Sequence, residues 1–108
     1  MRHETMIRGH RLVFRTWTYG MKQKALREAT SWVRSPDGGL QPDVDPWILN
    51  DLMLVQTLVE WDLVDEGGNP LPINLESLHS IEPPELVEEM ISYTQALNGV
   101  SLEERKKS

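Results

Sequence analysis

The residues best able to do chemistry are the histidines and the carboxylates, and their spacing limits what they can do. The three histidines are His3, His10 and His79. No two of them are spaced to meet on one helix face, as a helical metal site requires. The chain has no cysteine, so neither a thiolate zinc site nor a disulfide is available. The run from Asp62 to Asn69 places carboxylates beside glycines. It lacks the alternating aspartates and the closing glutamate of a calcium loop, so it reads as turn backbone. Asp43 and Asp45 read as a loop residue and a helix cap. Asp37-Gly38-Gly39 lacks the lysine of a phosphate loop. No serine sits in a nucleophile elbow. The expectation is a protein without catalysis, metal or cofactor.

Tryptophan is the unusual feature. Four of them, Trp17, Trp32, Trp47 and Trp61, occur in 108 residues. Trp32 reads as core, on the apolar stripe of a helix, and Trp61 as closing the core at the end of another. Trp17 and Trp47 read as contact residues, because tryptophan is enriched at interface hot spots. The candidate protein-binding set is Phe14, Trp17 and Tyr19 from an N-terminal arm and its exit, with Trp47, Leu54 and Trp61 from a central helix.

These residues need elements to hold them. Residues 7–18 are rich in β-branched and aromatic types and predict a strand or extended arm. Thr18 can cap a helix reaching Trp32 or Val33, with Met21, Ala25, Ala29 and Trp32 as its stripe. Ser35-Pro36-Asp37-Gly38-Gly39 breaks the chain, and 40–44 reads as a polar loop. Asp45-Pro46 is a strong helix start. The run 46–61 is apolar nearly all round and predicts a helix that is either buried at the centre or buries one face in a partner. Residues 62–73 predict an irregular hairpin limited by Pro70 and Pro72. Asn74 caps a short helix, Pro83-Pro84 opens the last one, and Gly99 ends it. The expected fold class is mainly α: a small helical domain of three to four helices with an extended arm and a short irregular hairpin. It is one domain over 1–108, with 1–6 and 101–108 as flexible tails. No apolar run approaches the roughly 20 residues of a membrane span, and no signal peptide is recognisable. Neither a membrane nor a nucleic-acid partner is expected.

The net charge of −6 hides a split. Residues 1–34 hold eight basic side chains against two acids, whereas 35–102 hold thirteen acids and no lysine or arginine. One reading is that the basic element packs across the acidic ones within the domain. The other is that each face steers a partner or a neighbouring copy, giving a homo-oligomer.

The order of features resembles the small tail assembly chaperones of long-tailed bacteriophages and prophages. The stretches that carry the resemblance are Leu12 to Gly20, Leu58 to Pro72, Leu75 to Leu78, Pro83-Pro84-Glu85-Leu86 and Ala96-Leu97-Asn98. Val59 to Pro72 is the most specific of these. Met21-Lys22 stands where an acidic then a basic residue would match the family better. The resemblance implies a mainly helical fold and no catalysis. It also implies a role in tail morphogenesis in the host bacterial cytoplasm, with the tape measure protein and tail tube subunits as partners. Two other readings come from different classes. One is a structural virion component such as a head–tail or tail completion protein. The other is an acidic regulatory or DNA-mimic protein, suggested by the thirteen acids of residues 35–102.

Overall fold

A computed structural model describes residues 2–99. The chain forms β1 (Arg2–Ile7), β2 (His10–Arg15), α1 (Tyr19–Ala29), β3 (Thr30–Arg34), β4 (Leu40–Val44), α2 (Pro46–Thr57), β5 (Leu58–Trp61), α3 (Leu75–His79) and α4 (Pro84–Leu97). The strands make two antiparallel sheets, ordered β1-β2-β5 and β3-β4. The fold is therefore mixed α/β. This corrects the expectation of a mainly α domain.

The helix starts follow local chemistry. The Thr18 hydroxyl accepts from the Met21 N–H at 3.2 Å. The Asp45 carboxylate accepts from the N–H groups of Trp47 and Ile48 at 2.9 and 3.3 Å, and Pro46 occupies the first turn. The Asn74 side chain caps α3 through Ser77 N–H at 2.8 Å. Pro84 opens α4, and Gly99 follows the Asn98 cap at φ 65°.

Helix ends are where the expectations fail. The α1 stripe does not run on to Trp32. Thr30 bonds its hydroxyl back to the Leu26 carbonyl, and the chain leaves as β3. Residues 30–34, Thr-Ser-Trp-Val-Arg, favour a strand once a partner is present. That partner is β4, which had read as a loop. The turn between them closes through Ser35 N–H to Gly39 O at 2.8 Å, with Gly38 at φ 92°. The central helix likewise stops at Thr57. Leu58–Trp61 becomes β5 by pairing with β2, in the register Leu12↔Trp61 and Phe14↔Leu58. At the N-terminus, residues 2–6 are not a tail. They belong to β1, paired with β2 across a tight turn with Arg8 at φ 51° and Gly9 at φ 83°. The expected 101–108 tail lies outside the described residues.

The main core lies between the three-stranded sheet and helices α2 to α4. Leu12, Phe14, Leu54, Leu58, Leu63, Leu78, Leu86 and Met90 are buried there. Phe14 meets Tyr93 with ring centroids 4.9 Å apart. Two buried hydroxyls are satisfied as a chain. Thr94 donates to Thr57 Oγ1 at 2.9 Å, and Thr57 donates to the Met53 carbonyl at 2.8 Å. A smaller cluster of Ala25, Ala29 and Leu52 joins α1 to α2, with Trp17 and Leu49 against it.

The charge split is partly absorbed inside the domain. Arg8 reaches Glu89 at 2.9 Å, His10 reaches Asp62 at 2.9 Å, and Arg11 bridges Glu4 and Glu60. These pairs are exposed and screened by solvent, so they orient the hairpin more than they stabilise it. The cations of α1 and β3 are in no ion pair among the described residues.

Candidate interaction surface

The surface is built by the β3–β4 hairpin and the start of α2. In β3–β4 the register pairs Thr30↔Val44, Trp32↔Pro42 and Arg34↔Leu40 on one face, and Ser31↔Asp43 and Val33↔Gln41 on the other. Alternation therefore collects Trp32, Leu40, Pro42 and Val44 on a single face, with Arg34 at its turn end. Among the described residues, nothing covers that face. Trp32 is 66% exposed and Leu40 68%. The apolar run continues along the chain past the Asp45 cap into Trp47, 78% exposed, and Ile48, 44% exposed. Scattered apolar side chains are normal on a protein surface, but Trp32, Leu40, Pro42 and Val44 share one strand face, and tryptophan is enriched where proteins make contact.

A groove of about 480 Å³ lies between α1, α2 and α3. Leu52, Val55 and Leu75 form its apolar part, and Lys24, Glu28 and Glu76 its charged rim.

The six expected contact residues divide sharply. Trp47 and Tyr19 are exposed, Tyr19 at 75%. Phe14 and Leu54 are fully buried in the core and offer nothing to a partner. Trp17 and Trp61 are half-buried, and each indole N–H is already used: Trp17 donates to Gln56 Oε1 at 2.7 Å, and Trp61 to the Leu71 carbonyl at 2.8 Å. The roles of Trp17 and Trp32 are therefore exchanged relative to expectation. Trp17 packs against the α1–α2 cluster, while Trp32 stands in solvent. Leu40, Val44 and Ile48 went unnoticed in the sequence. A signal for them existed: Leu40, Pro42 and Val44 alternate with polar residues, and a Pro-Asp-Gly-Gly turn separates them from Trp32 and Val33.

The carboxylates beside the glycines hold turns and ion pairs. Asp65 Oδ1 accepts from the N–H groups of Gly67 and Asn69, both at 2.9 Å, which folds the 65–69 turn on itself. Asp37 is held below the ordinary carboxylate range by the Ser35 hydroxyl and the Gly39 N–H. For Asp62, partial burial pushes the carboxyl up. The Arg11 N–H at 2.8 Å and His10 outweigh it, so the group lies below its ordinary value. Among the described residues, no group of three or more histidine, aspartate or glutamate side chains could hold a metal ion. No helix among them is long and apolar enough to cross a membrane. No family model, curated protein or solved structure matches the chain.

Proposed function

We propose that the chain works by binding another protein through the apolar face of β3–β4 and the adjoining start of α2. The observation that carries this reading is the exposure of Trp32, Leu40 and Trp47 beside a well-packed core. A chain that buries Leu12, Phe14, Leu54, Leu86 and Met90 almost completely has no packing need for solvent-facing tryptophans. The resemblance to tail assembly chaperones supplies the partner: the tape measure protein, with tail tube subunits recruited to it during assembly. A chaperone for a long client needs apolar contact area without a deep pocket, and a charged rim that keeps the free protein dispersed. The exposed hairpin face, with Arg34 at its turn end, meets that need. The test is co-expression with a phage tape measure protein. The expected result is a more soluble client that elutes with this chain; a client of unchanged solubility, eluting alone, refutes the reading.

A further inference from the structure

The hairpin differs between its two edges. Asp45 N–H donates to the Ala29 carbonyl at 2.9 Å, and Ser35 N–H donates to the Gly39 carbonyl at 2.8 Å. Backbone groups alternate in direction along an antiparallel strand. With the register of the pair, this turns Ser31, Val33, Gln41 and Asp43 inward to the ladder and Trp32, Arg34, Leu40, Pro42 and Val44 outward. The outer edge of β4 thus has a proline at its centre, where no N–H exists to donate. Proline on an edge strand is a known block to further pairing. The outer edge of β3 has no such block: Trp32 and Arg34 both point their N–H and C=O groups away from β4.

We propose that the outer edge of β3 takes an extended segment of the partner protein as an added strand, with an apolar residue to lie against Trp32 and an acidic residue two positions along, on the same face, to meet Arg34. This rests on the reading of the hairpin as the protein-binding surface, and names how the partner is held. Main-chain bonds to Trp32 and Arg34 supply the pairing, and the exposed Trp32 face receives the apolar side chains. Charge decides between occupants. Arg34 lies at one end of β3, and Arg27 lies in the last turn of α1 at the other. Neither is in an ion pair among the described residues. A second copy of β3 added antiparallel would bring Arg34 to the Arg27 end, and one added parallel would set Arg34 beside Arg34. Either orientation brings cations together. An acidic segment meets both of them with opposite charge.

The test uses the full chain and short capped peptides with the repeat Val-Thr-Glu-Thr, which set valine and glutamate on one strand face, with a peptide carrying lysine in place of glutamate as the charge control. Amide exchange is followed residue by residue. The expected result is that exchange at Trp32 and Arg34 slows about tenfold with the glutamate peptide and not with the lysine peptide. Two variants separate backbone from side chain. Arg34→Ala removes the charge alone, whereas Arg34→Pro also removes the outward N–H in a position that the extended Val33 tolerates. Arg34→Pro should bind the peptide about fivefold more weakly than Arg34→Ala. Equal binding by the two variants overturns the proposal. So does concentration-dependent protection of Trp32 and Arg34 without peptide, because a second copy would then be the occupant. Co-elution of the client protein without protection at these two amides would sink strand addition and spare the functional reading. Absent co-elution would sink the functional reading and this inference with it.

Discussion

β2 and β3 are strands of similar length and similar type, each rich in β-branched and aromatic residues and each paired antiparallel, yet they end in opposite environments. In β2, Leu12, Val13 and Phe14 are buried. In β3, every residue from Ser31 to Arg34 is exposed. The difference lies in what covers them. β2 sits in the middle of its sheet, between β1 and β5, and its inner face meets Leu54, Leu86 and Met90. Among the described residues, β3 has only β4 beside it and no helix over its apolar face. A two-stranded ribbon alone is marginally stable in water. Here it is held at its base, by the Asp45 N–H bond to Ala29 and the short links to α1 and α2. One sheet is spent on stability, and the other remains available for contact.

The contrast can be broken most forcefully in the body. Phe14 is fully buried against Tyr93. Phe14→Ala is expected to cost about 3–5 kcal/mol, through lost burial plus the cavity left behind. Denaturant unfolding measures it as a lower midpoint at unchanged slope. A variant nearly as stable as the parent would mean that the three-stranded sheet is not the core.

A smaller loss is expected at the hydroxyl chain. Thr94→Val removes the donor to Thr57 and an acceptor of the Asn98 amide, and costs about 1–3 kcal/mol in the same assay. The Trp17 environment should shift with it, because Asn98 Oδ1 accepts the Trp17 N–H at 2.7 Å. Tryptophan fluorescence reports that change.

The acid response is weaker again. Asp62 lies below its ordinary value in the folded chain. Its contribution is therefore present above the unfolded carboxylate range and lost as pH falls through the folded value. Its side chain is 43% exposed, so the effect is modest. Asp62→Asn should lower stability slightly at neutral pH and flatten its fall below about pH 4, since the lost contribution is one the parent loses only in acid. An acid-unfolding profile as steep as that of the parent would remove Asp62 from the account.

Much of the body was legible because its signals are local. Thr18, Asp45-Pro46, Asn74 and Pro84 each mark a helix start within a few residues, and the Leu86, Met90, Thr94 stripe of α4 is buried as its spacing implies. Strand identity was less legible. Residues 30–34 and 58–61 continue the apolar pattern of the helix before them, and only a distant partner, β4 or β2, makes them strands. That is a tertiary choice that periodicity does not carry. The site suffered from the same cause. Once Trp32 is placed on a helix stripe it reads as core; placed on β3 it faces solvent beside Leu40 and Val44. Trp47 escaped the error because its position follows from the local Asp45 cap.

The central claim is that the hairpin face and the start of α2 exist for contact and not for stability. Replacing Trp32 and Trp47 together by serine separates the two roles, with thermal unfolding and co-elution with a co-expressed tape measure protein, the proposed client, measured on the same sample. The account predicts a change in stability within about 0.5 kcal/mol, as for exposed positions, together with loss of the co-eluting client. A variant that unfolds far more easily, or one that keeps its full share of client, would contradict it.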